Sequence, residues 1–89
     1  MLNEDAKKIK DDLVLFINRI LNNEIGINAD HIESIESSIK ILEKESFIND
    51  EAVLVLLYKQ IKDINPYVLD KKSVSSLKRI KSILNRLKF

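Results

Sequence analysis

Residues 70–89 read DKKSVSSLKRIKSILNRLKF. They place Lys71, Lys72, Lys78, Arg79, Lys81, Arg86 and Lys88 against a single acid, Asp70. Cations at that density suit an anionic partner: nucleic-acid phosphates, an anionic lipid surface or an acidic protein face. Between them Val74, Leu77, Ile80, Ile83, Leu84 and Leu87 recur at helical spacing. On a helix turning 100° per residue, Leu77, Ile80, Leu84 and Leu87 mark one inward stripe. Lys78, Lys81 and Lys88 fall largely outside that stripe. Arg79 and Arg86 lie near its edges, where long side chains reach outward. With the neighbouring aromatic Phe89, the candidate partner-binding set is Lys78, Arg79, Lys81, Arg86, Lys88 and Phe89.

Other reactive residue types are sparse. His31 is the one histidine and there is no cysteine, so thiolate zinc sites and cysteine nucleophiles are excluded. A Glu-x-x-His dimetal motif would need Glu at position 28, which is Asn. His31 reads as a surface or capping residue. Glu33 with Glu36, and Asp11 with Asp12, are carboxylate pairs of the kind that solvated helix faces carry. One glycine cannot build a phosphate-binding loop. Ser73, Ser75 and Ser76 have no base at a recognisable spacing and fit the polar start of a helix. No catalytic residue, cofactor or metal is expected.

The elements that must hold the basic segment follow from composition and period. At 89 residues the chain is one domain in size. It is 45% hydrophobic and 33% charged, with one Gly and one Pro, which favours helices with charged outer faces over a turn-rich β fold. The net charge of +1 conceals an asymmetry. Residues 1–48 hold six Lys or Arg and ten acids, a net −4, and residues 49–89 hold nine and four, a net +5. The basic half either meets a partner or attracts the acidic half within the fold. The absence of cysteine favours a reducing, cytoplasmic setting. MLNEDAKKIKDD lacks the apolar core of a signal peptide. The longest apolar run, residues 52–58, is far short of the ~20 residues that span a bilayer.

Four helices are predicted, over about 4–23, 30–46, 50–64 and 71–87. In the first, Ala6, Ile9, Leu13, Phe16, Ile17 and Ile20 share a face, Asn3 is a plausible cap, and Gly26 supplies the stop. The second starts at Asn28 or at Asp30. Asp30 as cap would place Glu33 at capping-box spacing, and Ile32, Ile35, Ile39 and Leu42 form its stripe. The third has Asn49 as cap and ends at Asn65, before Pro66. Its apolar residues cover more than one stripe, so it should be the most buried helix. Asp70 is placed to cap the fourth. Short connections make neighbours antiparallel, giving an all-α antiparallel four-helix bundle. Phe16, Ile39, Leu57, Ile61, Leu77 and Leu84 are its expected core, and a monomer is expected.

Nucleic acid is not the expected partner. The isoelectric point is near 7.9 and the acidic half would repel phosphates. Only Asn85 stands among the basic residues as a reader of base edges. NPYVLD is unlike the short Gly-containing turn of a helix-turn-helix motif. A charge-driven, peripheral approach to an anionic membrane stays open.

An antiparallel bundle of this size, without Cys and rich in Lys and Ile, resembles the immunity proteins of pediocin-like (class IIa) bacteriocins, the enterocin A immunity family. The similarity lies in VLVLLYKQI and in SVSSLKRIKSILNRLKF, with Leu77, Ile80 and Ile83 as core positions and Asn85 and Arg86 near the end. In the first half AKKIKDDL and ESSIKILEKES are similar. Several members close with Arg-Tyr-Gly-Tyr, where this chain has Arg86, Leu87, Lys88 and Phe89, which leaves the subgroup open. The resemblance implies a cytoplasmic, non-catalytic protein that protects a Gram-positive producer. Its partner would be the sugar-transport permease of the mannose phosphotransferase system, engaged together with the bacteriocin, and the C-terminal half would set which bacteriocin is neutralised. A regulatory or adaptor bundle, associated with nucleic acid through its basic helix, is the alternative that the residues leave open.

Overall fold

Four helices, α1 (Leu2–Leu21), α2 (Ala29–Lys44), α3 (Glu51–Lys62) and α4 (Lys71–Arg86), make up the computed structural model, with no strand among the described residues. The structure describes residues 2–87, with side chains over 4–87. α1 packs beside α2 and α4, α3 packs beside the same two, and the backbones of the diagonal pairs α1–α3 and α2–α4 stay apart. This is an antiparallel four-helix bundle, 37 × 25 × 20 Å along its principal axes.

Short polar side chains start the helices. Asn28 Oδ1 accepts the His31 N–H at 3.1 Å, Asp50 Oδ1 accepts that of Ala52 at 3.0 Å, and Asp70 Oδ1 accepts that of Ser73 at 2.8 Å. Each satisfies a donor that the first turn leaves without a helical partner. The expected Asp70 cap is found. Asn28 rather than Asp30 caps α2, and Asp50 rather than Asn49 caps α3. α1 already includes Leu2 and Asn3, so Asn3 lies inside the helix and not at its cap.

Gly26 does not stop α1. The left-handed residue is Asn23, at φ 59°, and Gly26 has no positive φ. The Glu24 N–H donates to the Arg19 carbonyl at 2.9 Å and the Asn23 N–H to that of Ile20 at 3.1 Å, the paired bonds of a Schellman motif. Asn tolerates this conformation better than most residues, and the stop must fall directly after the last turn, three residues before the glycine. α2 closes the same way through Ser46, at φ 63°, with the Phe47 N–H donating to the Leu42 carbonyl at 3.2 Å and the Ser46 N–H to that of Glu43 at 3.0 Å. Thus α1 and α2 end two residues earlier than periodicity alone suggests, and α3 ends at Lys62, ahead of the Asn65–Pro66 signal.

The core is aliphatic and rich in isoleucine. Leu13, Ile17 and Ile20 of α1 meet Ile35, Ile39 and Leu42 of α2, Leu57 and Ile61 of α3, and Leu77, Ile80 and Leu84 of α4. Burying each such side chain contributes about 1.5–3 kcal/mol. Two expectations are corrected here. Phe16 is only half-buried, at the rim of the α1–α2 groove rather than in the core. α3 is not the most buried helix: only Leu57 and Ile61 within it are fully covered, while Val55 is 60% exposed and Leu56 is also exposed. A helix in a square of four has neighbours on two sides only, so apolar residues beyond that arc face water.

Candidate functional site

α4 turns Ser73, Ser76, Leu77, Ile80 and Leu84 inward. The inward serines suit its N-terminal half. Ser73, fully buried, accepts the Asn65 N–H on its Oγ at 2.8 Å and ties the loop 65–70 to the helix. Ser75, on the outer side, is exposed. The remaining arc of α4 carries the cations. Lys78, Arg79 and Arg86 are exposed and Lys81 is half-buried. Lys88 and Phe89, the other two residues of the candidate set, lie outside the described residues.

Two depressions flank this arc. The larger, about 740 Å³, runs between the end of α1 and α4, where Lys78, Lys81 and Arg86 face Asn18, Leu21 and Asn22, with Val74, Ser82 and Asn85 completing the wall. The smaller, about 200 Å³, lies on the α3 side and brings Arg79 and Arg86 beside Leu56 and Ile83. Arg86 and Ser82 line both, so the basic surface is continuous across the helix. No carboxylate lines either one.

Ion pairs are sparse among the described cations, and Lys59, Lys62 and Lys71 lack an acid partner just as these four α4 cations do. Lys40 meets Glu36, Lys72 meets Asp63, and Lys10 meets Asp11, each at 3.9 Å. Among the described residues, Lys78, Arg79, Lys81 and Arg86 have no acid within ion-pair distance. The acidic half of the sequence therefore does not neutralise them, and their field stays available to an anionic partner. The arrangement offers strong hydrogen-bond donors to carboxylate or phosphate oxygens, with Asn18, Asn22 and Asn85 adding neutral amides.

His31 was expected near the surface, and it is half-buried instead. Its ring meets that of Phe16 edge to face, with centroids 5.2 Å apart and planes at 77°. Its Nδ1 is buried without a hydrogen-bond partner. Both rings line a groove of about 360 Å³ between α1 and α2, together with Leu13 and Ile41. Sequence periodicity did not point to this pairing, because positions 16 and 31 belong to different helices. On the α2–α3 side the Tyr58 hydroxyl donates to Glu43 Oε2 at 3.2 Å. Burial, reinforced by that carboxylate, raises the Tyr58 phenol above its ordinary value. Among the described residues no three His, Asp or Glu side chains converge as metal ligands would. No helix among them is long and apolar enough to cross a membrane. No family model matches this chain, and neither a curated protein nor a solved structure matches it.

Proposed function

We propose that this protein is a non-catalytic binding protein of the bacteriocin-immunity type, which works in the cytoplasm through the outer surface of α4. The observation that carries the reading is the row of four unneutralised cations, Lys78, Arg79, Lys81 and Arg86, over two depressions of one helix. A surface of that kind steers an anionic partner and fixes its register, while contributing little to the stability of its own fold. The same helix carries most of the longest stretch that resembles the immunity family, SVSSLKRIKSILNRLKF. On this reading α4 closes the bundle with its apolar stripe and presents its basic arc to the permease engaged by a bacteriocin.

The test uses bacteriocin-sensitive cells expressing three forms of the chain: the intact protein, a variant with Lys78, Arg79, Lys81 and Arg86 all changed to Gln, and a variant lacking residues 86–89. The cells are challenged with pediocin-like bacteriocins. Protection by the intact protein, lost in both variants while their helical circular dichroism persists, is the expected result. Full protection by both folded variants would refute the role of this surface. Failure of the intact protein against every such bacteriocin would overturn the immunity reading itself.

A further inference from the structure

Tyr67 is 86% exposed and its neighbour Val68 is 56% exposed. Both stand at the tip of the loop 65–70, and the immunity reading makes no use of them. The tip is held rather than loose. Asn65 Oδ1 accepts the Tyr67 N–H at 2.8 Å and the Val68 N–H at 3.3 Å, and Ser73 holds the Asn65 N–H from inside the bundle. Pro66 fixes one more backbone angle. The held backbone thus presents an aromatic and a β-branched side chain side by side to water.

The surroundings are cationic. Lys71 follows the loop directly and is exposed. One turn into α4, Val74 begins the groove that leads past Lys78 and Lys81 to Arg86, about 18 Å along the axis. Glu33 shares a depression with Pro66 and Lys62 on the α2–α3 side, away from the groove, and the two acids nearer α4 are engaged. Asp70 accepts the Ser73 N–H and Asp63 meets Lys72.

We propose that the loop 65–70 and the adjoining α1–α4 groove form one docking face for an anionic phospholipid bilayer. Tyr67 and Val68 enter its interfacial layer, and Lys71, Lys78 and Lys81 meet lipid phosphates. A convex apolar tip suits a fluid interface, which deforms around it, whereas a protein partner would need a matching pocket. Tyrosine favours the interfacial depth because its ring is apolar and its hydroxyl stays wet. Basic residues beside an apolar insertion supply the second signal that stable peripheral binding requires. The proposal shares Lys78 and Lys81 with the immunity reading but is tested apart from it, because lipid binding can be measured with neither bacteriocin nor permease present.

The chain has no tryptophan, so Tyr67→Trp installs a single reporter. The variant is titrated with vesicles of equal phosphatidylglycerol and phosphatidylcholine, and with phosphatidylcholine alone, at low and at physiological salt. The expected result is a blue shift with the anionic vesicles only, weakening as salt rises. In co-sedimentation, Tyr67→Ser with Val68→Ser lowers affinity by about tenfold or more, from the lost apolar insertion. Lys78→Gln with Lys81→Gln lowers both affinity and its salt dependence. All these positions lie outside the core, and unchanged thermal melting shows that the variants remain folded. Absence of binding to anionic vesicles at low salt overturns the proposal and leaves the tip to a protein partner. Binding that survives both double variants overturns it as well.

Discussion

Ser73 Oγ, buried on α4, accepts the backbone N–H of Asn65 at 2.8 Å, so the link between α3 and α4 is fastened from inside the bundle. Ser73→Ala removes the acceptor and leaves a part-buried N–H unsatisfied. The expected cost is about 1–3 kcal/mol. Ser75→Ala, on the exposed side, should stay within about 0.5 kcal/mol. Urea titrations of the two variants decide the matter, and equal midpoints would show that the Ser73 bond contributes nothing.

The two left-handed residues set the next expectation. Ser46 at φ 63° is strained where glycine would not be, so Ser46→Gly should stabilise by up to about 1 kcal/mol. Asn23→Gly should gain less, since Asn tolerates that region. Gly26 takes an ordinary negative φ, and a Cβ there would meet nothing within 4 Å. Gly26→Ala should therefore raise stability by about 0.4–1 kcal/mol. A lowered melting temperature for Gly26→Ala would contradict the observed backbone.

Burial divides α3 sharply. Leu57→Ala should cost about 2–5 kcal/mol, because Leu57 is fully covered. Val55→Ser, two residues away on the exposed side, should change stability by about 0.5 kcal/mol or less. Denaturant midpoints that rank the pair the other way would show that α3 is rotated from its observed setting.

His31 presents a ring to Phe16 and a buried Nδ1 without a partner. His31→Phe keeps an aromatic contact and removes the orphaned nitrogen, so it should stabilise the bundle. His31→Ala should cost about 0.5–1.5 kcal/mol from the lost ring pair. Thermal melts of both variants provide the check, and a destabilising His31→Phe would indicate that Nδ1 does find a partner in solution.

Acid should act through the start of α4. The N–H bond from Ser73 holds the Asp70 carboxyl below its ordinary value. The unfolded chain lacks that bond and titrates at the ordinary value, so stabilisation is complete above about pH 4. It is lost as pH falls through the lowered folded-state value. Asp70→Asn keeps a side-chain acceptor but has no charge to lose. Melting temperature should fall more steeply below pH 4 in the wild type than in Asp70→Asn, and parallel curves would remove Asp70 from the account.

Chain order alone settles the number, type and approximate extent of the elements. The i, i+3, i+4 recurrence of Ile, Leu and Val marks a helix wherever it occurs, and Asp70 before a helical stripe is a local cap that needs no neighbour. Leu57, Ile61, Leu77 and Leu84 were legible as core for the same reason. So were Lys78, Arg79, Lys81 and Arg86 as a basic arc, because their angles relative to Leu77 and Ile80 follow from chain order. What covers a given face is a different kind of fact. Val55 and Leu56 are as apolar as Leu57, and only the placement of α2 and α4 on two sides of α3 leaves them in water. Phe16 and His31 meet across two helices, which no period within one helix can express. The stop at Asn23 depended on which left-handed residue satisfied the last carbonyls of α1, and Gly26 lay out of reach of them. The lack of acid partners for the α4 cations was likewise tertiary. The acidic half could have neutralised them, and the packing order placed Asn18 and Asn22 beside them instead.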